Sequence, residues 1–178
     1  YHDERTQCIY LQSEIGTAGP IRALALNVTT LPGQTLNNWT IRMKHTPLSA
    51  YTNYLWEATN WVVVYQAQQQ VNSGGWVVFR LQTPFDYNGV DNLMVDFSFN
   101  NMYGSSGSYC RGTYSGYIRT LYYGTYSSES DPLTWSGDTP SPWATSYRPN
   151  LRIIFGIPVG VQPSIASPFA AGLWSGSV

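Results

Sequence analysis

The 178-residue sequence predicts an all-β chain, an antiparallel β-sandwich of jelly-roll type, and three observations carry that prediction. Apolar and polar residues alternate with period two over about eight short stretches. No long window repeats every 3.6 residues, as an amphipathic helix would. Gly, Pro and Asn punctuate the gaps, where turns between antiparallel strands need them.

In chain order, "TQCIYL" (6–11) opens the set, and "SEIGTAGP" reads as a turn or a single helical turn. In "IRALALNVTT" (21–30), Leu24, Leu26 and Val28 share a face. In "NWTIRMKHT" (38–46), Trp39, Ile41, Met43 and His45 share a face, and Thr40, Arg42 and Lys44 are expected to point to water. "WVVVYQ" (61–66) and "GWVVFRLQ" (75–82) follow. Pro84 lacks a donor and is expected to end the latter strand, and Asn88-Gly89 suits the positive φ of a tight turn. "DNLMVDFSFN" (91–100) carries the clearest alternation. Leu93, Val95, Phe97 and Phe99 point one way and Asn92, Met94, Asp96, Ser98 and Asn100 the other, the period of a half-buried strand. "YIRTLYYG" (117–124) and "NLRIIFG" (150–156) complete the set. Residues 1–156 are expected to form the sandwich. Residues 157–178, with several prolines and isolated apolar anchors, read as an extended tail or a linker to a following domain or a neighbouring subunit, covering a sheet edge of its own or of that neighbour.

Charged residues make up 11% of the chain and the net charge is −1. That leaves no basic footprint for nucleic acid and no polybasic patch for anionic lipid. No apolar run reaches the ~18 residues of a membrane-spanning helix. The chain starts at Tyr1 with no signal-like segment, which reads as a mature or excised piece of a longer precursor. Low charge with many Ser, Thr, Asn, Gly and Tyr residues fits an exported, extracellular or cell-surface protein.

Between 101 and 149, ten aromatic residues are interleaved with Ser and Gly, and only one stretch has strand character. Tyr and Trp in such settings offer contact area at low entropic cost. The alternative is that these rings close the end of the sandwich or cover a sheet face. Trp135, Trp143, Tyr122, Tyr123 and Tyr126 are the candidate ligand-binding platform.

Other chemistry is thinly represented. His45 ends a strand pattern on the face of Ile41 and Met43, as a core or rim residue does. No serine sits in a nucleophile elbow before a helix, and no spacing singles out two carboxylates as a glycosidase pair. The chain is therefore read as non-catalytic, with a hydrolase the remote alternative, and no cofactor is expected. Asp86, Asn88 and Asp91 gather hard oxygen ligands of the kind that suits calcium, but their spacing departs from the EF-hand loop. An Asx-type turn without an ion accounts for the same residues. Cys8 and Cys110 are the only cysteines; a disulfide between them is expected if a shared sheet edge brings their Cα atoms within about 7 Å. Two free thiols are the alternative.

Several of these motifs together, "DERTQCIYLQSEIGTAG", "LNNWTIRMKHT", "GWVVFRLQTPFDYNGVDNLMVDFSFNN", "DPLTWSG" and the closing "GLWSG", resemble a domain recurring in large secreted bacterial surface proteins. There it often stands beside immunoglobulin-like and other β modules. The resemblance spans almost the whole chain and implies an all-β extracellular module, with no catalytic residues to carry over. Two tasks follow as expectations. One is binding or adhesion through the aromatic surface, with polysaccharide as the leading partner. The other is a structural role in an extracellular filament or surface layer, with neighbouring β-domains or subunits joined through edge strands.

Overall fold

The computed structural model describes residues 1–104, 107–126 and 131–156; the expected tail at 157–178 lies outside them. Among these residues twelve strands form, every strand pair is antiparallel, and one helical turn, α1 (Gln12–Ile15), follows the first strand. The chain is all-β.

Eight strands fall on the stretches with sequence alternation: β1 (Asp3–Tyr10), β2 (Gly19–Thr30), β3 (Leu36–Thr46), β4 (Val62–Gln69), β5 (Gly75–Tyr87), β6 (Asn92–Asn100), β9 (Thr120–Thr125) and β12 (Leu151–Phe155). Four more are only two or three residues long: β7 (Tyr109–Cys110), β8 (Gly112–Tyr114), β10 (Trp143–Thr145) and β11 (Tyr147–Pro149). Segments that short cannot display a period, so the 101–149 stretch holds more strand than its sequence suggests.

A six-stranded sheet runs β10-β9-β1-β6-β3-β4. A second sheet runs β12-β2-β5, with β7 also on β2, and β8 pairs with β11 as a separate ribbon. The two larger sheets face each other across one core, which takes Cys8 and Tyr10 from β1, Ile41 and Met43 from β3, and Leu93, Val95, Phe97 and Phe99 from β6. Leu24 and Leu26 from β2 and Phe79 and Phe85 from β5 meet them from the other side. Pro84 does not end its strand. β5 runs on to Tyr87 through a register shift opposite Ile21 and Ala23, and because β5 is an edge strand the missing N–H disrupts no second ladder. The turn after it is built as the sequence suggests. Asn88 Oδ1 accepts from the backbone N–H of Val90 and Asp91, and Gly89 has φ +70° with a would-be Cβ 2.7 Å from Ala18 Cβ.

The larger departure concerns the opposite face of β6. That strand is buried on both sides, and Arg42 and Lys44, expected in water, are 6% and 7% exposed. Segments 47–61 and 131–142 lie over this outer face and bring a second apolar cluster: Tyr51, Trp56 and Trp135 packed on Ile9, Met94 and Leu121. Beneath the cover lies a charge network set by strand register. Arg42 stands directly opposite Asp96, and Arg5, opposite Ser98, is its diagonal neighbour. Arg5 Nε donates to Asp96 Oδ2 at 2.7 Å and Arg42 Nη2 to Oδ1 at 3.1 Å. The remaining guanidinium donors reach the covering segments. Arg5 bonds the carbonyls of Glu57, Pro132 and Trp135, and Arg42 that of Leu133. Lys44 pairs with Glu57 at 2.7 Å, and Trp56 and Trp61 lie over Arg5 and Arg42 at 4.8 and 5.2 Å. Residues with no alternation of their own are thus fastened to the sheet by charge.

Candidate functional site

The aromatic stretch folds back on itself. Segment 112–125 runs antiparallel to segment 143–149: Tyr147 pairs with Tyr114 on β11–β8 and Trp143 with Tyr122 on β10–β9. A Ser115 N–H bond to the Ser146 carbonyl, at 2.9 Å, bridges the gap between the two ladders. Cross-strand pairing puts partner side chains within reach, and the rings brace each other. Tyr114 meets Tyr147 edge-on with centroids 5.6 Å apart, and Tyr122 meets Trp143 at 5.5 Å. These rings keep 37–63% of their surface in water. Bracing with exposure distinguishes them from core aromatics.

The five platform residues divide. Tyr122 and Trp143 lie together on the exposed ribbon. Tyr123 is half-buried between Trp143 at 5.1 Å and Trp135 at 5.5 Å. Tyr126 is exposed but packs at a tilt against Tyr1, 4.7 Å away, at the other end of β9. Trp135 is 2% exposed and belongs to the second core, so it presents no face to a ligand. The "DPLTWSG" stretch places it there: Asp131 caps a single 3-10 turn, Pro132–Thr134, and the ring follows inward. Tyr114, Tyr117 and Tyr147 join the exposed set, and nothing in the local sequence distinguishes them from the buried Trp135. Beside the ribbon, Arg111 is exposed, and Thr113 Oγ1 donates to Asn150 Oδ1 at 2.7 Å on the surface. Behind β11 a cleft of about 440 Å³ is lined by Tyr10, Glu14, Trp76, Arg148 and Asn150. Burial disfavours the Glu14 charge there, but bonds from Arg148 and the Leu11 N–H outweigh it and hold its pKa below the usual value.

The remaining candidates are accounted for locally. The Asn88 amide donates to Asp91 Oδ2 at 2.7 Å, so the side chain proposed as a calcium ligand is occupied within its own turn. Among the described residues no three His, Cys, Asp or Glu side chains gather as a metal site. His45 is a rim residue: Nε2 accepts from the Asn88 N–H at 3.1 Å, and the ring stacks on Tyr87. Cys8 and Cys110 do not share a sheet edge. Cys8 lies on β1 in the six-stranded sheet and Cys110 on β7, paired with Val28 in the other, and both are free thiols. Burial pushes the Cys8 thiol up to about 12, leaving it unreactive at neutral pH. In the native, non-reduced protein, iodoacetamide is expected to modify Cys110 and spare Cys8, with both alkylated after unfolding without reductant. Mass spectrometry checks this, and two unmodified cysteines in the unfolded sample would show a bridge.

No family model, curated protein or solved structure matches the chain. The site therefore rests on its own geometry. Among the described residues no helix is long and apolar enough to cross a membrane.

Proposed function

We propose that this chain is a non-catalytic extracellular binding module of jelly-roll β-sandwich type, and that its ribbon β8–β11 with β9–β10 recognises polysaccharide. The observation that carries the reading is the row of exposed, mutually braced rings, Tyr114, Tyr147, Tyr122 and Trp143. Sugar rings offer apolar C–H faces that stack on Tyr and Trp, while hydroxyls pair with amide, hydroxyl and guanidinium groups such as those of Asn150, Thr113 and Arg111. Rings held by cross-strand neighbours lose little freedom on binding, which lowers the cost of association. The strand order β1-β6-β3 opposite β12-β2-β5 supports the jelly-roll assignment.

Retention on insoluble polysaccharides and a broad glycan panel test the reading. Trp143→Ala is expected to weaken binding at least tenfold and Tyr147→Ala severalfold. Both should leave the melting temperature within a few degrees, since the rings are surface residues. A wild-type protein that binds no glycan on the panel removes the proposal.

A second reading, assembly into a filament or surface layer, has one supporting observation: β12 pairs only with β2 and leaves its other edge open among the described residues. Sedimentation of the whole chain separates the two, because a module that acts alone stays monomeric as its concentration rises.

A further inference from the structure

A second cleft opens between the two large sheets, about 120 Å³ in volume and far from polar in its walls. Phe97 and Phe99 of β6 and Trp39 of β3 line it from one sheet; Val28 of β2, Phe79 of β5 and Cys110 of β7 line it from the other. The Trp39 ring is fixed between Phe79 and Phe97 at 5.6 and 5.9 Å. Two polar groups in this wall have no hydrogen-bond partner among the described residues. The Trp39 Nε1–H is buried without an acceptor, where most buried donors are satisfied. Glu4, half-buried, occupies an inward-facing position of β1, in step with Thr6 and Cys8, and among the described residues no hydrogen bond or ion pair engages its carboxylate. The other titratable groups near it are the Cys110 thiol and the phenols of Tyr1 and Tyr109, and the amino group of Tyr1 favours its ionised form.

We propose that this inter-sheet cleft binds a small aromatic or alkyl amine, its hydrocarbon body among Trp39, Phe79 and Phe97 and its ammonium on the Glu4 carboxylate. Size and chemistry both select that class. An apolar cavity of roughly 150 Å³ accommodates a benzene ring, so a single ring or short alkyl chain fills this one. Among the described residues the cleft is lined by one carboxylate and no Lys, Arg or His. A neutral ligand would bring that carboxylate no countercharge, an anion would oppose it, and an ammonium supplies both a countercharge and hydrogen-bond donors. Surrounding aromatic faces add attraction for a cation. Burial raises the Glu4 pKa to about 7, so an arriving ammonium displaces a proton from it at neutral pH and below. This inference does not depend on the polysaccharide reading, which concerns a different face.

Titration calorimetry of the full chain with benzylamine and its neutral counterpart, benzyl alcohol, tests it. Benzylamine is expected to bind at least tenfold tighter than benzyl alcohol at pH 8, and about tenfold more weakly at pH 6 than at pH 8. Glu4→Gln should bring benzylamine down to the benzyl alcohol level and leave benzyl alcohol unchanged. Val28→Phe, which fills the cleft and keeps Glu4, should abolish binding of both, and near-ultraviolet circular dichroism establishes that each variant is folded. Equal affinity for the two probes, benzylamine binding untouched by Glu4→Gln, binding retained in Val28→Phe, or no binding by the wild type would each overturn the proposal.

Discussion

Replacing Asp96 with alanine is expected to destabilise the protein by about 3–5 kcal/mol, because the change strands two buried guanidinium groups. Asp96 and Arg5 have no exposed surface and Arg42 has little, so neither cation can recover its solvation without the sheet being uncovered. Against a typical total stability of about 5–15 kcal/mol, that loss leaves a marginal domain. The first regions to come free should be 47–61 and 131–142, since Arg5 and Arg42 hold both through backbone carbonyls. Urea denaturation measures the loss, and hydrogen exchange should show those two segments opening ahead of the inter-sheet core. The half-exposed Glu14, paired with Arg119 and Arg148, is the internal comparison. Glu14→Gln should cost no more than about 1 kcal/mol, as partly solvated ion pairs do. If Asp96→Ala cost as little, the covering segments would be held by apolar packing alone.

That network also shows where sequence reading runs out. Period-two alternation correctly sorted Leu93, Val95, Phe97 and Phe99 from Met94, Asp96 and Ser98, and Ile41 and Met43 from Arg42 and Lys44. Alternation reports that a strand has two faces; it does not report what lies on the second. Asp, Arg and Lys are rarely buried unpaired, so alternation that places them on one face points to water there. Here they are paired, and the cover comes from segments 47–61 and 131–142, which have no periodicity to detect. One signal was available: in a chain with only 11% charged residues, Arg5, Arg42, Lys44 and Asp96 are among those that fall inside strands. Charge kept where charge is scarce points to pairing.

The candidate site was legible as composition and not as geometry. Interleaved Tyr, Ser and Gly marked 101–149 as the unusual stretch, and the exposed ribbon lies within it. Which rings face outward depends on the pairing of β8 with β11 and of β9 with β10, ladders of three residues each. Tyr114 and Tyr147 are selected by being opposite one another, a relation between positions 33 residues apart in sequence. The inter-sheet cleft was less legible still. Nothing in the sequence singles out Glu4, whose place in the cleft depends on β7 lying across from it.

Trp135→Ala is expected to cost about 3–5 kcal/mol, the usual loss for emptying a buried Trp site, and it separates two roles for one residue. The ring packs against Trp56 at 5.9 Å and supports Tyr123 edge-on at 5.5 Å, and Tyr123 in turn contacts Trp143 on the ribbon. Removing it therefore opens a cavity under the covering segments and loosens the rings above. Thermal unfolding should show a drop of many degrees for Trp135→Ala and little for Trp143→Ala, whose ring is 47% exposed. Binding to polysaccharide, where present, should fall in both, but for different reasons: Trp143 loses a stacking face, and Trp135 loses what holds that face in place. Trp135→Phe is the discriminating variant, since it refills most of the cavity and should recover stability and binding together. Because the Trp135 carbonyl accepts from Arg5, the residue is also coupled to the charge network. The double variant Asp96→Ala/Trp135→Ala should cost clearly less than the sum of the single losses, as both release the same segment. A Trp135→Ala protein that melts within a few degrees of wild type yet no longer binds would instead place the ring in contact with the ligand.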